Sequence, residues 1–434
     1  MITPQTLKGF RDYLPQTMIP RRQIINTAAQ VYESFGFSPI DTPALEYLEI
    51  LQGKGSDETD KQMYKFQDAG GRNVGMRFDL TVPLARFSAQ HINELGTPFK
   101  RYHIAPVWRG ENTQHGRYRE FVQCDFDTIG TTSVEADIEA VLVIYELFCK
   151  LGFKDQFVIH INNRQILNGV LEVMNLREKS VEVLRSIDKL AKIGPQKTRE
   201  ELIQTAGATE EQCNILLSMA SLEGSNEAVL GQLSTLAGKS ELGMVGINRL
   251  WQILDGAKAS GIPAGAIKID LSIARGLDYY TGVIFETFLT QLPAIGSVCS
   301  GGRYDNLAEL FTKQQLPGIG ASLGLDRLLA AMEELGKLPS IKTPADILIV
   351  YFDADRLNDY LQMSAQLRRA GFKVELYPEP KKIKNQMQYA NRQGFRYVVI
   401  AGSQEFAQGI VQVKNMTDGT QKDVPLNDLS SAFE

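Results

Sequence analysis

The two arms that flank the 110–116 loop constrain this chain more than any other segment. RYHIAPVWR alternates as a strand does: Tyr102, Ile104 and Trp108 fall on one face, and His103, Ala105, Val107 and Arg109 on the other. REFVQCDFD alternates in the same way. Arg119, Phe121, Gln123, Asp125 and Asp127 share a face, while Val122, Cys124 and Phe126 share an opposite, apolar one that needs a core. Gly110 and Gly116 bracket a connection too long for a tight hairpin turn. One reading is an antiparallel pair with a wet face. The other is a polar face that lines a pocket, since so many fixed arginines, carboxylates and amides exceed what a hairpin needs.

The rest of the 434 residues suggests two or three domains. Up to Asn163, an amphipathic helix runs through Ile24, Ala28, Val31 and Phe35 and stops at Gly36. An extended FSPIDTPALE segment broken by Pro39 and Pro43 follows. After the hairpin, Thr132 and Glu135 form a capping-box pattern ahead of a helix bearing Ile138, Val141, Leu142, Tyr145 and Phe148, which Gly152 ends. Residues 164–261 carry apolar positions at helical spacing and no catalytic constellation, so they predict a helical insertion. Strand character returns at Ile267, Ile269, Leu271 and Ile273. GIGASLGLDRLLAAMEELG predicts a glycine-opened helix. Residues 337–344 form a linker with two prolines. DILIVYF, KVELY and YVVIAG then predict a small α/β domain with a mainly parallel sheet.

Several classes are excluded or bounded. Cys124, Cys149, Cys213 and Cys299 form no CxxC pair, which fits a reducing cytosol and neither a disulfide framework nor a zinc site. The four histidines have no metal-ligand spacing. No apolar run reaches membrane length, and MITPQTLKGF lacks a signal-peptide core. With a net charge of -5, nucleic-acid binding has to rest on local basic patches.

Four further strings carry candidate chemistry. Arg275, in ARGLDYYTG, follows a strand and offers a cationic fork for a phosphate, or else pairs with Asp278. Arg327 sits in the first turn of a helix, against its dipole; an anion there would reward it, and a local pair with Asp326 is the alternative. Asp79 and Thr81 share a face of an extended segment, where Asp79 either anchors an ammonium or is a turn or cap aspartate. The 381–396 segment holds five basic residues and no acid, a phosphate-contacting helix or a solvated one.

Together these strings resemble the histidyl-tRNA synthetases, a family of class II aminoacyl-tRNA synthetases, over essentially the whole chain. DTPALE resembles class motif 1 at the dimer interface, with Pro43 as its proline. RGENTQHGRYREFVQCDFD is similar to motif 2 and ASLGLDRL to motif 3. ARGLDYYTG and SGGRYD resemble the histidine-specific signatures, which are more specific than the class motifs. DLT at positions 79–81 resembles the archaeal and eukaryotic type.

The resemblance implies an α+β fold: an antiparallel-sheet catalytic domain at 1–163 and 262–336, a helical insertion at 164–261, and an anticodon-binding α/β domain at 344–434. It implies that Arg109 and Arg275 contact the ATP α-phosphate and the histidine carboxylate. Asp79, Thr81 and Gln123 would hold the α-amino group. Asp127 and Tyr280, with Tyr279 beside them, would read the imidazole. Arg327 and loop Arg117 would bind the triphosphate. Partners would be L-histidine, ATP with Mg2+ and a histidine tRNA, in a cytoplasmic homodimer with no membrane association. Asp125 receives no role, and no carboxylate cluster singles out Mg2+ ligands. The resemblance also admits a non-catalytic regulatory or sensor paralogue. Such paralogues typically lose the catalytic arginines or the C-terminal domain, and here Arg109, Arg275, Arg327 and that domain are present. A prolyl or threonyl synthetase is the other alternative, against which ARGLDYYTG and the Gln123/Asp127 pair argue.

Overall fold

In the computed structural model the described residues are 1–53, 57–273, 280–339 and 341–433. They form two compact units, Met1–Arg11 with Ile24–Gly336, and Asp12–Gln23 with Lys337–Glu434.

The first unit is built on eight strands: β1 (Ser38–Pro39), β2 (Phe99–Trp108), β3 (Glu120–Ile129), β4 (Phe157–Asn163), β5 (Ile267–Ile269), β6 (Val283–Leu289), β7 (Cys299–Tyr304) and β8 (Gly318–Gly324). Their order is β1-β2-β3-β8-β7-β6-β4-β5, antiparallel except at the two edge pairs. The hairpin arms pair as their alternation requires. Arg101 lies opposite Asp127, His103 opposite Asp125 and Ala105 opposite Gln123, so all six share one face. On the other face Val122, Cys124 and Phe126 are buried. Tyr32 closes over them; its ring lies 5.2 Å from Phe126 and its hydroxyl donates to the Cys124 carbonyl at 2.9 Å.

The glycine string departs from expectation. GIGASLG does not open a helix but forms β8, in the middle of the sheet between β3 and β7. Its glycines clear space for neighbouring strands. A Cβ at Gly320 would stand 2.2 Å from both Asp127 Oδ1 and the Phe126 carbonyl, and one at Gly301 on β7 would stand 2.2 Å from the Gly320 carbonyl. The helix α4 (Leu325–Glu334) begins only after the strand; α1 (Pro15–Ser34), α2 (Thr81–Leu95) and α3 (Val134–Phe148) precede it.

Two smaller expectations shift. The cap of α3 is Ser133, not Thr132: Ser133 is extended and its hydroxyl accepts from the Glu135 N–H. The strand at 267 ends at Ile269, because the Asp270 carboxylate accepts from both the N–H (2.9 Å) and the hydroxyl (2.6 Å) of Ser272 and turns the chain. Between residues 164 and 261 the chain is helical. Glu241–Ala259 packs on Arg164–Val173, close enough that a Cβ at Gly169 would lie 2.5 Å from Gly243 Cα.

The second unit carries β9 (Ile347–Ile349), β10 (Val374–Leu376), β11 (Tyr397–Ile400), β12 (Ile410–Asn415) and β13 (Gln421–Pro425), in the order β10-β9-β11-β12-β13. The sheet is mixed rather than mainly parallel. β9 runs parallel to β10 and β11, but β11–β12 and β12–β13 are antiparallel. The parallel strands bury both faces, Ile347 and Ile349 into one core and Leu348 and Val350 into another, and therefore read as continuous apolar runs. IVQVKN and QKDVP are edge-side and half polar, which hid them. The basic segment contains helix α5 (Ile383–Gln393); Lys381, Lys382, Lys384, Arg392 and Arg396 are all exposed.

Candidate active site

A cavity of about 310 Å³ lies in the first unit, floored by β3, β6, β7 and β8 and edged by the starts of α2 and α4 and by the hairpin loop. Asp79, Thr81, Arg109, Arg117, Gln123, Asp127, Tyr280 and Arg327, drawn from well-separated stretches of sequence, all line it. Arg275 and Tyr279 lie outside the described residues.

Asp79 lies where the start of α2 meets the cavity. Its carboxylate accepts from the Val82 N–H at 3.0 Å, capping α2, and it also lines the cavity. Burial raises its pKa, while the Val82 bond and Arg109 oppose the shift. Thr81 is the first residue of α2 rather than part of an extended run with Asp79. Arg109 follows β2. Its Nε donates to the Phe78 carbonyl at 2.8 Å and its guanidinium lies 5.1 Å from the Phe121 ring centre, which fixes the cation's direction. Arg327 donates to the Ser297 carbonyl at 2.6 Å. Its neighbour Asp326 accepts from the Val122 N–H at 2.9 Å and so ties the start of α4 to β3. Arg117 is more open, 3.9 Å from Glu111 in the loop. Gly116, at φ 72°, lets that loop pass over the backbone of Arg327.

The acidic part of the cavity is held by residues that the sequence did not single out. Arg101 is fully buried and stands 2.7 Å from Asp127 Oδ2. The Tyr304 hydroxyl donates to Asp127 Oδ1. Burial raises the Asp127 pKa, and Arg101 and Tyr304 pull against that rise. Asp125 is pushed up to about 7 by its burial; Arg101 opposes the shift and Asp127 adds to it. Gln123 donates to Ser322 Oγ at 2.9 Å and to Asp125 Oδ1 at 3.3 Å. The parity that places His103 on the pocket face also places Arg101 there, so that residue was available to sequence reasoning. Tyr304 belongs to the SGGRYD string, but its partner depends on how distant strands align.

The arrangement joins carboxylates and an amide from the sheet to arginines from the loop and the start of α4. It suits a ligand with a cationic group and an anionic one. Among the described residues no group of three or more His, Cys, Asp or Glu side chains is placed to hold a metal ion. No described helix is long and apolar enough to cross a membrane.

An antiparallel sheet carrying a motif-2 hairpin and a motif-3 strand–helix, followed by an anticodon-binding domain, is the architecture of a class II aminoacyl-tRNA synthetase. Within that class the chain belongs to the histidyl-tRNA synthetase family, whose model matches residues 9–328, with an anticodon binding domain matching 346–434. It is 62% identical to the histidine–tRNA ligase of Rhodopirellula baltica over 98% of this chain and 96% of that one. It is 47% identical to the histidine–tRNA ligase of Wolinella succinogenes over 97% and 96%. The crystal structure of histidyl-tRNA synthetase from Nostoc sp. PCC 7120 superposes with a TM-score of 0.90 at 36% identity, covering 99% of each chain. A Bacillus halodurans chain described as an ATP phosphoribosyltransferase regulatory subunit/histidyl-tRNA synthetase shares the fold, with a TM-score of 0.76 at 22% identity over 90% of this chain and 97% of that one.

Proposed function

We propose that this chain is a histidine–tRNA ligase that activates L-histidine with ATP and transfers it to the terminal adenosine of a histidine tRNA. The observation that carries this is the convergence in one cavity of Asp79, Gln123 and Asp127 with Arg109, Arg117 and Arg327, within a chain of this family.

The histidine carboxylate oxygen attacks the α-phosphorus. An O–P bond forms, the bond to the β-phosphate oxygen breaks, and pyrophosphate leaves with that electron pair. No proton moves, so the site has to supply charge and position rather than acid–base catalysis. Arg109, held by Phe78 and Phe121, meets the α-phosphate and the carboxylate, with Arg275 as its partner. Arg327 and Arg117 hold the triphosphate. Asp79, Thr81 and Gln123 receive the α-ammonium; Asp127, Tyr280 and Tyr279 read the imidazole. A ribose hydroxyl of the tRNA's terminal adenosine then attacks the acyl carbon; the bond from that carbon to the adenylate phosphate oxygen breaks, AMP leaves with the electron pair, and the hydroxyl proton passes to the departing phosphate or to solvent. Magnesium would enter with ATP and would help to neutralise its phosphate charge. The second unit serves as the anticodon-binding domain, where the exposed basic residues of the 381–396 segment offer a phosphate-facing surface. Residues 164–261 form the helical insertion, and the molecule works as a cytoplasmic homodimer.

Pyrophosphate exchange tests the assignment. Exchange that depends on histidine is the expected result. Its absence would indicate a regulatory paralogue, and exchange with proline or threonine another class II synthetase. Asp127→Ala should raise the histidine requirement steeply; an unchanged requirement would remove Asp127 from the imidazole contact.

A further inference from the structure

We propose that Asp125 and Ser322 are positioning residues that lock the Gln123 side-chain amide, so that its carbonyl oxygen is presented to the cavity as an acceptor for the substrate's α-ammonium group. The inference rests on the function proposed above and gives a task to a buried carboxylate that the reaction otherwise leaves unused.

Asp125 and Gln123 lie on one face of β3, and β8 brings Ser322 directly opposite Asp125. All three residues line the cavity. Gln123 Nε2 donates to Ser322 Oγ at 2.9 Å and to Asp125 Oδ1 at 3.3 Å. The Ser322 hydroxyl also bonds the Asp125 carboxylate. A hydroxyl has one proton and two lone pairs, so it gives the proton to the carboxylate and accepts from the amide. Above pH 7 the Asp125 carboxylate is mostly ionised and only accepts, which means that the amide atom facing it has to be nitrogen. A flipped amide would set Oε1 against Asp125 Oδ1, lone pair to lone pair, and would keep the Ser322 contact only by drawing that hydroxyl's proton away from the carboxylate.

The lock leaves Oε1 as the other terminus of the amide. It is buried and finds no partner among the described residues, in a side chain belonging to a residue only 8% exposed. A buried acceptor without a donor is unfavourable until a ligand supplies one. An ammonium group has three donors and no acceptor. A correctly oriented amide attracts it; a flipped one would turn N–H donors toward a cation.

Three variants test the lock in histidine-dependent pyrophosphate exchange. Ser322→Ala removes one arm and Asp125→Ala the other, whereas Asp125→Asn keeps an oxygen that accepts from Nε2. Histidine KM should rise about threefold in Ser322→Ala and about tenfold in Asp125→Ala, as expected for a weakened hydrogen bond to a charged group, with kcat within about twofold. Asp125→Asn should recover a KM within about threefold of the parent. The second readout is competitive inhibition by 3-(imidazol-4-yl)propionate, which is histidine without its amino group. Its inhibition constant should stay unchanged in all three variants. Parallel losses for histidine and this analogue, or an unaltered histidine KM in both alanine variants, would overturn the proposal. Should Asp125→Ala not fold, Ser322→Ala carries the same comparison. A parent enzyme without histidine-dependent exchange would instead overturn the assigned function, a result obtained before any variant is made.

Discussion

Replacing Arg101 by methionine isolates the buried charge pair at Asp127. The Arg101 and Asp127 side chains are 0% and 4% exposed and stand 2.7 Å apart. Methionine fills much of the same space but leaves Asp127 without its cation. Breaking a buried pair in this way costs about 3–5 kcal/mol. Tyr304 still donates to Asp127, which places the expected loss near the lower bound. For a unit of this size each kcal/mol moves the melting point by about 2 °C, so the first unit should melt about 6 °C lower at pH 8.

The loss depends on pH, with a definite sign. Burial already raises the Asp127 pKa above its ordinary value, and Arg101 is the main force holding it down. Removing Arg101 raises it further. A carboxyl whose folded pKa lies above its unfolded one contributes stability below the unfolded value and loses it as pH rises through the folded value. The variant's deficit should therefore be larger at pH 8 than at pH 5. Thermal unfolding of parent and variant at both pH values measures it. Adding Asp127→Asn to the variant should restore most of the stability at pH 8. Histidine kcat/KM should fall at least tenfold in Arg101→Met, and the added Asp127→Asn should not bring it back. A deficit that is equal at pH 5 and pH 8, or one that Asp127→Asn leaves in place, would mean that packing rather than charge makes Arg101 necessary.

Asp125, pushed up to about 7 from 3.8, makes the folded state favour its protonated form, so its ionisation destabilises the fold by at most about 4 kcal/mol above pH 7. Asp125→Asn should accordingly raise the melting point at pH 8, with a gain that fades toward pH 4; a gain of constant size would contradict this origin. Gly320→Ala would force a Cβ to 2.2 Å from Asp127 Oδ1 and the Phe126 carbonyl, which should destabilise by about 3 kcal/mol or more; unchanged melting and histidine KM would show that the sheet centre can relax. Arg275→Ala should slow single-turnover adenylate formation more than it weakens histidine binding, and comparable losses in both would reassign that arginine.

Much of the site was legible because side-chain parity along a strand is a local property. The alternation in REFVQCDFD put Gln123, Asp125 and Asp127 on one face and Val122, Cys124 and Phe126 on the other, and the register confirms both sets. What parity cannot give is the partner across the sheet. Arg101 faces Asp127 because β2 and β3 align at those positions, and Tyr304 reaches Asp127 across 177 residues of sequence. The Ser133 cap and the Asp270 turn failed differently: two adjacent polar residues competed for the role in the first case, and in the second a side chain satisfied the backbone locally and cut short an apolar alternation.

The glycines of β8 show why the centre of the sheet was the hardest part to read. GIGASLG has the composition of a loop that yields to a ligand, and glycine normally weakens a strand. Here the strand is central and the space is already used. Asp127 fills the volume that a Gly320 side chain would occupy, and the Gly320 carbonyl and Ala321 fill the one beside Gly301. A pocket acid on β3 can therefore lie flat over the sheet and accept from Tyr304 on β7 only because the intervening strand carries no side chain at that row. The glycines just ahead of motif 3 and the carboxylate at the end of motif 2 are thus one structural requirement divided between two distant segments, and neither segment alone contains enough information to reveal it.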